Sequence, residues 1–532
     1  MLGLASVSAV AAMLLAACGS TVPLAEQRAL TGGGSGGFGV AGGAVQSGLG
    51  GTGATATGAT GSGGLGGVGT STVGSGSGAA TVGGGGAGPT GGAAGGGTES
   101  GTGGGGGTGP TENGGGGGST AGDGPGVTAT TINVGALYDT DAAAEDAAIG
   151  AAGANPGNVQ SETDAVVAYV NAHGGVDHRK VNVIWYSYGG ETQSATQIQQ
   201  GACAEWTQDN KTFVFTTGEP IWDQCAAQEG AVGLYQTFLA ETTPTLQKYP
   251  EDIDQTGFTI DRGDRITIEG LARQGYFSPG AKVGVVTWDE SDYQYGITAG
   301  VDPALAAIGI HNVPVEYITV PASYSDLGAT SSSVANAVLK FRSEGIDHVI
   351  LLDGPAGVNQ SGVLVLEWEQ QANSQFYYPK YGLNSTSGFT ALASDLPEKE
   401  MVGSEGVGWL PSEDLSSADY AALPENNEQK TCLQIMSASG NTPSGNNAEA
   451  VAFSICDEFF FLQYALGKVS GPLNQETALA AIDSVGSSFA DLMTFGTYYS
   501  ASQHDAAQLV RNIAFVASCD CYRYTSPAYN PG

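Results

Sequence analysis

The chain has 532 residues, and its composition divides it into two unequal parts. Of its 87 glycines, 47 lie in residues 32–126, a stretch with only three charged side chains. Residues 127–532 hold 48 acidic and 16 basic side chains. A surface so acidic repels phosphate backbones and anionic headgroups, which argues against nucleic acid binding and a polybasic membrane contact.

The glycine-rich part cannot offset the entropy of becoming ordered, so residues 19–126 are predicted to form a flexible tether. Low-complexity drift without a selected length is the alternative. Residues 127–532 exceed the roughly 250–300 residues at which a single core stops growing, so two lobes are expected.

The N-terminus predicts export. Residues 2–17 are apolar or small and too short for a lasting bilayer-spanning helix, which favours a signal peptide. They end in Leu15-Ala16-Ala17-Cys18, which resembles the lipobox of bacterial lipoproteins, where the cysteine is lipidated. Residues 1–18 are therefore expected to be a lipoprotein signal, although no Lys or Arg precedes the apolar run. An ordinary secretory signal is the alternative.

Six cysteines remain, an even number that suits disulfides in an oxidising compartment. They are Cys203, Cys225, Cys432, Cys456, Cys519 and Cys521. Proximity in sequence favours Cys203 with Cys225 and Cys432 with Cys456, among 15 possible connectivities. In an extended strand Cys519 and Cys521 would lie about 6.6–6.8 Å apart, which leaves a strained bond or other partners open. A zinc site would need C-x-x-C spacing and histidines that the chain does not show.

The folded part begins with a series of alternating elements. Residues 131–139 (TINVGALYD) are a β-branched apolar run, typical of a buried parallel strand. A helix carrying Val159, Val166 and Val170 follows and ends at Gly174. Strand 181–188, a helix through Cys203 and strand 212–217 complete this series.

A second series starts with strand 282–289 (KVGVVTWD). A helix ending near Gly309, strand 315–320, a helix carrying Val334, Val338 and Phe341, and strand 348–353 follow. Such repeats predict an α/β fold with parallel sheets, whose ligands bind at the carboxyl ends of strands.

The ordered set TINVGALYD, YVNAHGGVDHRKVNVIWYSY, PGAKVGVVTWDESDYQYG and the sequence through HVILLDG resembles the type I periplasmic binding proteins. It is most similar to the leucine and branched-chain amino acid binding branch. The resemblance implies two Rossmann-like lobes joined by a three-crossing hinge, with crossings near residues 256–264, 404–410 and 512–518. Lobe 1 would then take about 127–260 and 408–512, and lobe 2 about 264–404 with the C-terminal end.

The resemblance also implies which residues face the ligand. The matching positions are Asp139, Thr140, Glu219, Trp222, Thr242, Thr243, Trp288, Tyr293, Tyr295, Asp353, Asn384 and Ser385. Two departures put a simple α-amino acid in doubt. Loop 382–387 lacks the acidic partner for an ammonium group, and Glu219 with Trp222 replaces a serine-rich carboxylate cradle. Neutral, cationic and amide-bearing ligands are equally open.

Each candidate also has a structural interpretation. The aromatics Trp288, Tyr293 and Tyr295 would suit a core, and Glu219 and Asp353 would suit helix caps. Three arginines, Arg179, Arg262 and Arg265, are expected to be solvated or paired at the surface.

Catalytic patterns do not stand out. The five histidines form no metal-ligand motif, and no phosphate loop with its lysine is present. We therefore expect no enzyme activity, cofactor or metal.

The resemblance implies an extracytoplasmic, lipid-anchored solute-binding protein of an ABC importer. Its partners would be a small polar solute, such as an amino acid or amide, and a membrane permease with its ATPase. The alternatives are a ligand-sensing receptor that signals to a membrane partner, or a surface hydrolase or adhesin.

Overall fold

The structure is a computed structural model that describes residues 122–140, 157–189, 193, 195–217, 223–236, 239–321, 327–356, 363–389 and 398–532. All of these residues belong to one compact unit. Strands and helices alternate as predicted, and the predicted ends agree with the observed ends to within two residues.

Fourteen strands occur in the described residues. They are β1 (Thr131–Asp139), β2 (Lys180–Tyr188), β3 (Val214–Thr217), β4 (Val232–Tyr235), β5 (Leu239–Ala240), β6 (Asp252–Asp254), β7 (Phe258–Thr259), β8 (Val283–Trp288), β9 (Val315–Ile318), β10 (His348–Leu351), β11 (Lys380–Asn384), β12 (Glu405–Gly408), β13 (Arg511–Val516) and β14 (Cys521–Tyr524).

Fifteen α-helices occur in the same residues. They are α1 (Val159–Ala172), α2 (Ala195–Ala204), α3 (Asp223–Glu229), α4 (Thr243–Lys248), α5 (Ile260–Gln274), α6 (Ser291–Gly296), α7 (Asp302–Ala307), α8 (Leu327–Glu344), α9 (Val363–Ser374), α10 (Glu398–Met401), α11 (Pro411–Asp414), α12 (Ser417–Tyr420), α13 (Asn427–Ser439), α14 (Asn446–Leu466) and α15 (Gln475–Asp483). A π-turn at Ile297–Val301 joins α6 to α7, and a 3₁₀ turn at Ser385–Ser387 follows β11.

The strands form two main sheets. The first is parallel, in the order β2-β1-β3-β4-β6. The second has the order β14-β13-β12-β11-β10-β8-β9 and is parallel except where β13 and β14 join one edge. Strands β5 and β7 form a separate parallel pair. The structure thus confirms an α/β fold with parallel sheets in two lobes.

Burial explains why these segments become strands and helices. Every residue of β4, β8 and β10 is buried, as expected for strands covered by helices on both faces. On α1 the residues Val159, Val166 and Val170 are buried because they share one helical face.

The chain passes between the two sheets three times. After β6 it enters α5, which packs on β12, and after β12 it returns to α13 and α14, which pack on α1. The second and third crossings were expected at residues 404–410 and 512–518. Those ranges overlap β12 and β13, which are paired within the second sheet, so the chain leaves this sheet after Gly408 and re-enters it before Arg511. The sequence cannot show where a short strand ends and the neighbouring hinge segment begins, because no apolar pattern distinguishes the two.

The folded part starts earlier than the glycine count predicts. Asp123 Oδ1 accepts a hydrogen bond from Leu473 N (2.9 Å), and Asp123 Oδ2 lies 3.5 Å from Arg179 Nη2. Arg179 was expected to be solvated or paired at the surface. It is paired but only 8% exposed, because Asp123 and the carbonyl of Thr128 enclose its guanidinium.

Three disulfides occur in the described residues: Cys203–Cys225, Cys432–Cys456 and Cys519–Cys521. The first two pairings were predicted. The Cα atoms of Cys519 and Cys521 lie 5.2 Å apart, closer than the extended geometry predicts. The reason is that the segment is a turn between β13 and β14, with Asp520 at a φ of 50°.

Among the helices of the described residues, none combines the length and the apolar character that a membrane span requires.

Candidate functional site

In each main sheet there is one pair of neighbouring strands whose connections run to opposite sides of the pair. In the first sheet this pair is β1 and β3, because the chain runs from β1 to β2 on one side and then crosses to β3. In the second sheet it is β8 and β10. Loops that diverge at such a switch point leave a crevice at the carboxyl ends of the strands, which is where ligands bind in open α/β sheets.

Asp139 and Thr140 occupy the switch point of the first sheet. Asp139 is the last residue of β1 and is 1% exposed, whereas Thr140 is exposed. The backbone N and the Oγ1 of Thr140 both donate to Tyr188 O, each at 2.8 Å, which fastens the end of β1 to the end of β2. Glu219 and Trp222, predicted for the same edge, lie outside the described residues.

Trp288 and Asp353 meet at the switch point of the second sheet. Trp288 Nε1 donates to Asp353 Oδ1 (3.0 Å) and to Gly354 O (3.1 Å), and both side chains are fully buried. Asp353 also accepts from Gly354 N at 2.7 Å and from Val365 N at 3.2 Å. These contacts support the helix-cap interpretation of Asp353, because its carboxylate holds the start of α9.

Tyr293 contacts the loop that follows β10, which contains Asp353 and Gly354. Its hydroxyl donates to Pro355 O at 2.7 Å, and the side chain is 1% exposed. A Cβ at Gly354 would lie 2.3 Å from that hydroxyl, so a larger residue there would require Tyr293 to shift. Trp288 and Tyr293 are therefore core aromatics that shape the crevice edge, whereas Tyr295 is 37% exposed on α6.

Thr242 and Thr243 lie at the start of α4, next to the first turn of α5. The N and Oγ1 of Thr243 donate to the two carboxylate oxygens of Asp261, each at 2.8 Å. Thr242 Oγ1 lies 2.9 Å from Thr245 Oγ1. These bonds join α4 to the first turn of α5, next to the first crossing.

Asn384 and Ser385 lie at the carboxyl end of β11 and are fully buried. Asn384 Oδ1 accepts from Thr386 N at 3.0 Å and caps the 3₁₀ turn. Ser385 Oγ donates to Asp414 Oδ1 at 2.8 Å and accepts from Trp409 N at 2.8 Å. Burial raises the pKa of Asp414 to about 7, although hydrogen bonds with Tyr524, Ser385 and the backbone at Leu410 oppose the rise.

The structure thus brings together Trp288, Tyr293 and Asp353 at one strand edge, and Asn384 with Ser385 at the neighbouring one. Thr242 and Thr243 are hydrogen-bonded at the junction of α4 and α5 instead.

Sequence reasoning missed the acids beside the aromatics. Asp289, Glu290 and Asp292 follow β8 directly, in the segment where only the aromatics were chosen. Burial, and then the charge of Asp292, raises the pKa of Glu290; burial also raises the pKa of Asp292. Their position directly after a buried strand was the signal that could have identified them.

It also missed a buried amide pair at the carboxyl ends of β4 and β6. Gln236 Nε2 donates to Ser454 O at 3.1 Å, and Gln255 Nε2 donates to Asp457 Oδ2 at 3.3 Å. The two glutamines thereby tie the edge of the first sheet to α14. No pattern in the sequence marks contacts across about 200 residues. In the described part of the chain, no cluster of three or more His, Cys, Asp or Glu residues could hold a metal ion.

Solved structures share this architecture at low sequence identity. A fatty acid ABC transporter substrate-binding protein from Thermomonospora curvata has a TM-score of 0.51 and 16% identity, covering 77% of this chain and 94% of its own. An ABC transporter substrate-binding protein from Aeropyrum pernix has a TM-score of 0.54 and 13% identity, covering 76% and 97%. The chain has the type I periplasmic binding protein fold.

A third structure with this fold is an ABC transporter solute-binding protein from Rhodopseudomonas palustris BisB5, in complex with 3,4-dihydroxybenzoic acid. It has a TM-score of 0.51 and 15% identity, covering 75% of this chain and 98% of its own. No protein family model matches the sequence, and no curated protein matches it either.

Proposed function

We propose that this protein is the extracytoplasmic, lipid-anchored solute-binding component of an ABC importer. It captures a small polar solute by closure of its two lobes. The observation that carries the proposal is the pair of parallel sheets, each with a switch point at its carboxyl edge, joined by three crossings. The fold is shared with substrate-binding proteins of ABC transporters.

Closure of the lobes would increase the affinity for the solute and would also tell the permease that the solute is bound. A solute enclosed between the two switch points exchanges water for fixed hydrogen bonds, and the closed shape differs from the open one. A membrane permease with its ATPase would recognise that closed shape. The protein's task is thus binding rather than catalysis.

The crossings suit such a motion because two of them are bonded to each other. Asp254 Oδ1 accepts from Thr256 N and Gly257 N, both at 3.0 Å, which makes the first crossing a tight turn. Asp254 also pairs through its backbone with Asp505, on the approach to the third crossing. Two adjacent, hydrogen-bonded crossings favour rotation about one axis.

The predicted contact residues are part of this proposal. Thr140 and Tyr295 are exposed at the two strand edges and are the described candidates best placed to touch a solute. The buried candidates Trp288, Tyr293, Asp353, Asn384 and Ser385 would shape the crevice from behind. Asp139, Glu219 and Trp222 would complete the wall on the first lobe.

Anchoring through Cys18 would hold the protein at the outer face of the membrane, with residues 19–126 as the tether. The three disulfides fit an oxidising compartment outside the cytoplasm. Labelling with a radioactive fatty acid tests the anchor: the wild-type chain should incorporate label, and Cys18→Ala should not. Label that persists in Cys18→Ala would refute lipidation at this residue.

Solute capture is tested by thermal unfolding of the full chain in detergent against amino acids, amides, polyamines and aromatic acids. A solute at 100 times its Kd should stabilise the protein by about 2.7 kcal/mol. X-ray scattering with the same solute should show a smaller radius of gyration. A broad panel without any shift would count against the proposal.

A further inference from the structure

Two buried acids meet where α14 passes the turn formed by residues 491–494. Asp457, on α14, is fully buried, and Asp491, the first residue of the turn, is 5% exposed. Asp457 Oδ1 accepts a hydrogen bond from Leu492 N at 3.0 Å, and Asp491 Oδ1 accepts one from Met493 N at 2.8 Å. Because they bind consecutive amides of one turn, the two carboxyl groups lie within hydrogen-bonding reach of each other, away from water.

No positive charge offsets these two acids. Within the described residues, no ion pair involves Asp457 or Asp491. The titratable groups that face them are Glu458, on the same helix, and the phenol of Tyr499, which in turn faces Asp254. None of these groups is basic, so their ionisation would only make a second charge on the two acids less favourable.

A shared proton would relieve the conflict between the two carboxyl groups. With both ionised, Asp491 Oδ2 has no hydrogen-bond donor in the described residues, and two charges face each other without water. Burial, and then the charge of Asp491, raises the pKa of Asp457 well above its usual range. Burial raises the pKa of Asp491 only to about 6, because hydrogen bonds from Thr494, Met493 and Asp457 favour its charged form. At neutral pH the proton therefore stays on Asp457, which donates it to Asp491.

The two acids lie between two of the crossings. Asp457 Oδ2 accepts from Gln255 Nε2 at 3.3 Å, and Gln255 directly precedes the turn of the first crossing. The turn that begins at Asp491 leads to Asp505, whose carboxylate binds the start of α5. A displacement of the turn would therefore reach the first crossing through Gln255 and the approach to the third crossing through Asp505.

We infer that Asp457 and Asp491 share one proton at neutral pH, and that this proton holds the turn, the first crossing and the approach to the third crossing in one arrangement. Loss of the proton to solvent at higher pH leaves two adjacent negative charges, which repel each other and displace the turn. The consequence rests on the proposed function, in which the crossings are the hinge of the lobe motion. The flexibility of that hinge then depends on pH.

Infrared spectroscopy of the full chain in detergent tests the shared proton directly. At pH 7 the spectrum of the wild type minus that of Asp457→Asn should contain the C=O band of one protonated carboxyl group, which asparagine cannot give. Asp164→Asn is the matched control, because it makes the same substitution on an exposed residue of α1 and should give no such band. A difference spectrum without the band would overturn the shared proton and leave solute capture standing.

A second variant serves if Asp457→Asn does not fold. Asp491→Asn removes the charge that faces Asp457, so the carboxyl band of Asp457 should disappear at a lower pH than in the wild type. An unchanged titration of the band would overturn the pairing of the two acids.

Thermal unfolding gives a further measure of the proton. Because folded Asp457 binds its proton more tightly than the unfolded chain does, its contribution to stability is fully present below the usual pKa of 3.8 and is lost as the pH rises. Asparagine has no proton to lose, so between pH 5 and pH 8 the Tm of Asp457→Asn should rise by about 5 °C relative to the wild type. The other buried acids are common to both proteins and cancel. An equal pH dependence of the two Tm values would contradict the inference.

Hydrogen exchange of the wild-type chain tests the link to the hinge. Over the pH range in which the carboxyl band disappears, exchange in peptides 254–260 and 491–505 should accelerate about tenfold beyond the change in chemical rate. Peptide 283–288, in the second sheet, should keep its protection. If the band disappears while the first two peptides also keep their protection, the proton is not coupled to the crossings and the hinge assignment is overturned.

These outcomes are separate from those for the proposed function. Solute binding in a chain whose exchange is independent of pH would overturn only the inference drawn from the two acids. The expected band and exchange in a chain that binds none of the solutes would count only against solute capture.

Discussion

Arg262 Nη1 lies 2.9 Å from Asp505 Oδ2, and this ion pair joins the start of α5 to the segment that precedes the third crossing. Thr259 N donates to the same carboxylate oxygen at 2.9 Å. The guanidinium also stacks over the ring of Phe258, 4.7 Å from its centroid. One carboxylate thus holds two crossings, which makes Asp505 a link between the first and third crossings.

Arg262→Met should lower the free energy of unfolding by about 2 kcal/mol, because it leaves the mostly buried Asp505 carboxylate without its charged donor. Urea unfolding measures the loss. Arg265→Met is the matched control, since Arg265 pairs with Glu269 on the same helix and both side chains are one-third exposed. That variant should lose less than about 1 kcal/mol. Equal losses would show that the link at Asp505 adds no stability.

Buried acids give a second prediction, on pH. Burial raises the pKa of Glu400 from 4.5 to about 8, and both carboxylate oxygens lack hydrogen-bond partners in the described residues. Because the folded state binds this proton more tightly than the unfolded state, Glu400 contributes its full stability below pH 4.5. That contribution is lost as the pH rises toward 8.

Glu400→Gln should therefore raise the Tm at pH 8 and leave it nearly unchanged at pH 5, with a gain on the order of a few kcal/mol at the higher pH. Glu398→Gln, on the same short helix but exposed, is the control and should change neither. Measuring the Tm of both variants and the wild type at pH 5 and pH 8 tests this prediction. A Glu400→Gln variant less stable than wild type at pH 8 would show that the carboxylate is ionised and held by a partner.

The elements could be predicted from the sequence because their patterns are local. Residues 283–288 (VGVVTW) form a short, mostly apolar and β-branched run, and the valines of α1 recur at helical spacing, so the sequence of each segment indicates which of its residues are buried. Site roles are not local. The indole of Trp288 was predicted to contact the ligand, but it donates a hydrogen bond at 3.0 Å to Asp353, which is 65 residues away in the sequence. Ser385 likewise donates to Asp414, which is 29 residues away.

The burial of Arg179 could not be predicted from the local sequence either. Its partner Asp123 lies in a glycine-rich run that composition assigns to the tether, so no local pattern could predict its burial. The bounds of the second and third crossings were imprecise for a related reason, since β12 has four residues and its pairing with β13 depends on a strand about 100 residues later.

The disulfides differ in the length of the loop that each one closes. Cys203–Cys225 and Cys432–Cys456 are separated by 22 and 24 residues, whereas Cys519–Cys521 closes a loop of separation 2. In the chain-entropy model, removing either long-loop bridge by paired Cys→Ser substitution should cost about 3 kcal/mol. Removing Cys519–Cys521 should cost about half as much. Urea unfolding of the three double variants tests the order, and a larger loss for the Cys519–Cys521 variant would contradict it.

Gly354 and Tyr293 give the last prediction. Gly354→Ala should lower the free energy of unfolding by about 2 kcal/mol, because the new Cβ would lie 2.3 Å from the Tyr293 hydroxyl and must displace it. In a Tyr293→Phe background the hydroxyl is gone, so the same substitution should be better tolerated, even though Pro355 O then loses its donor. A double-mutant cycle by urea unfolding measures the coupling between the two positions. Additive losses would mean that Gly354 is required for its backbone conformation rather than for the space that Tyr293 fills.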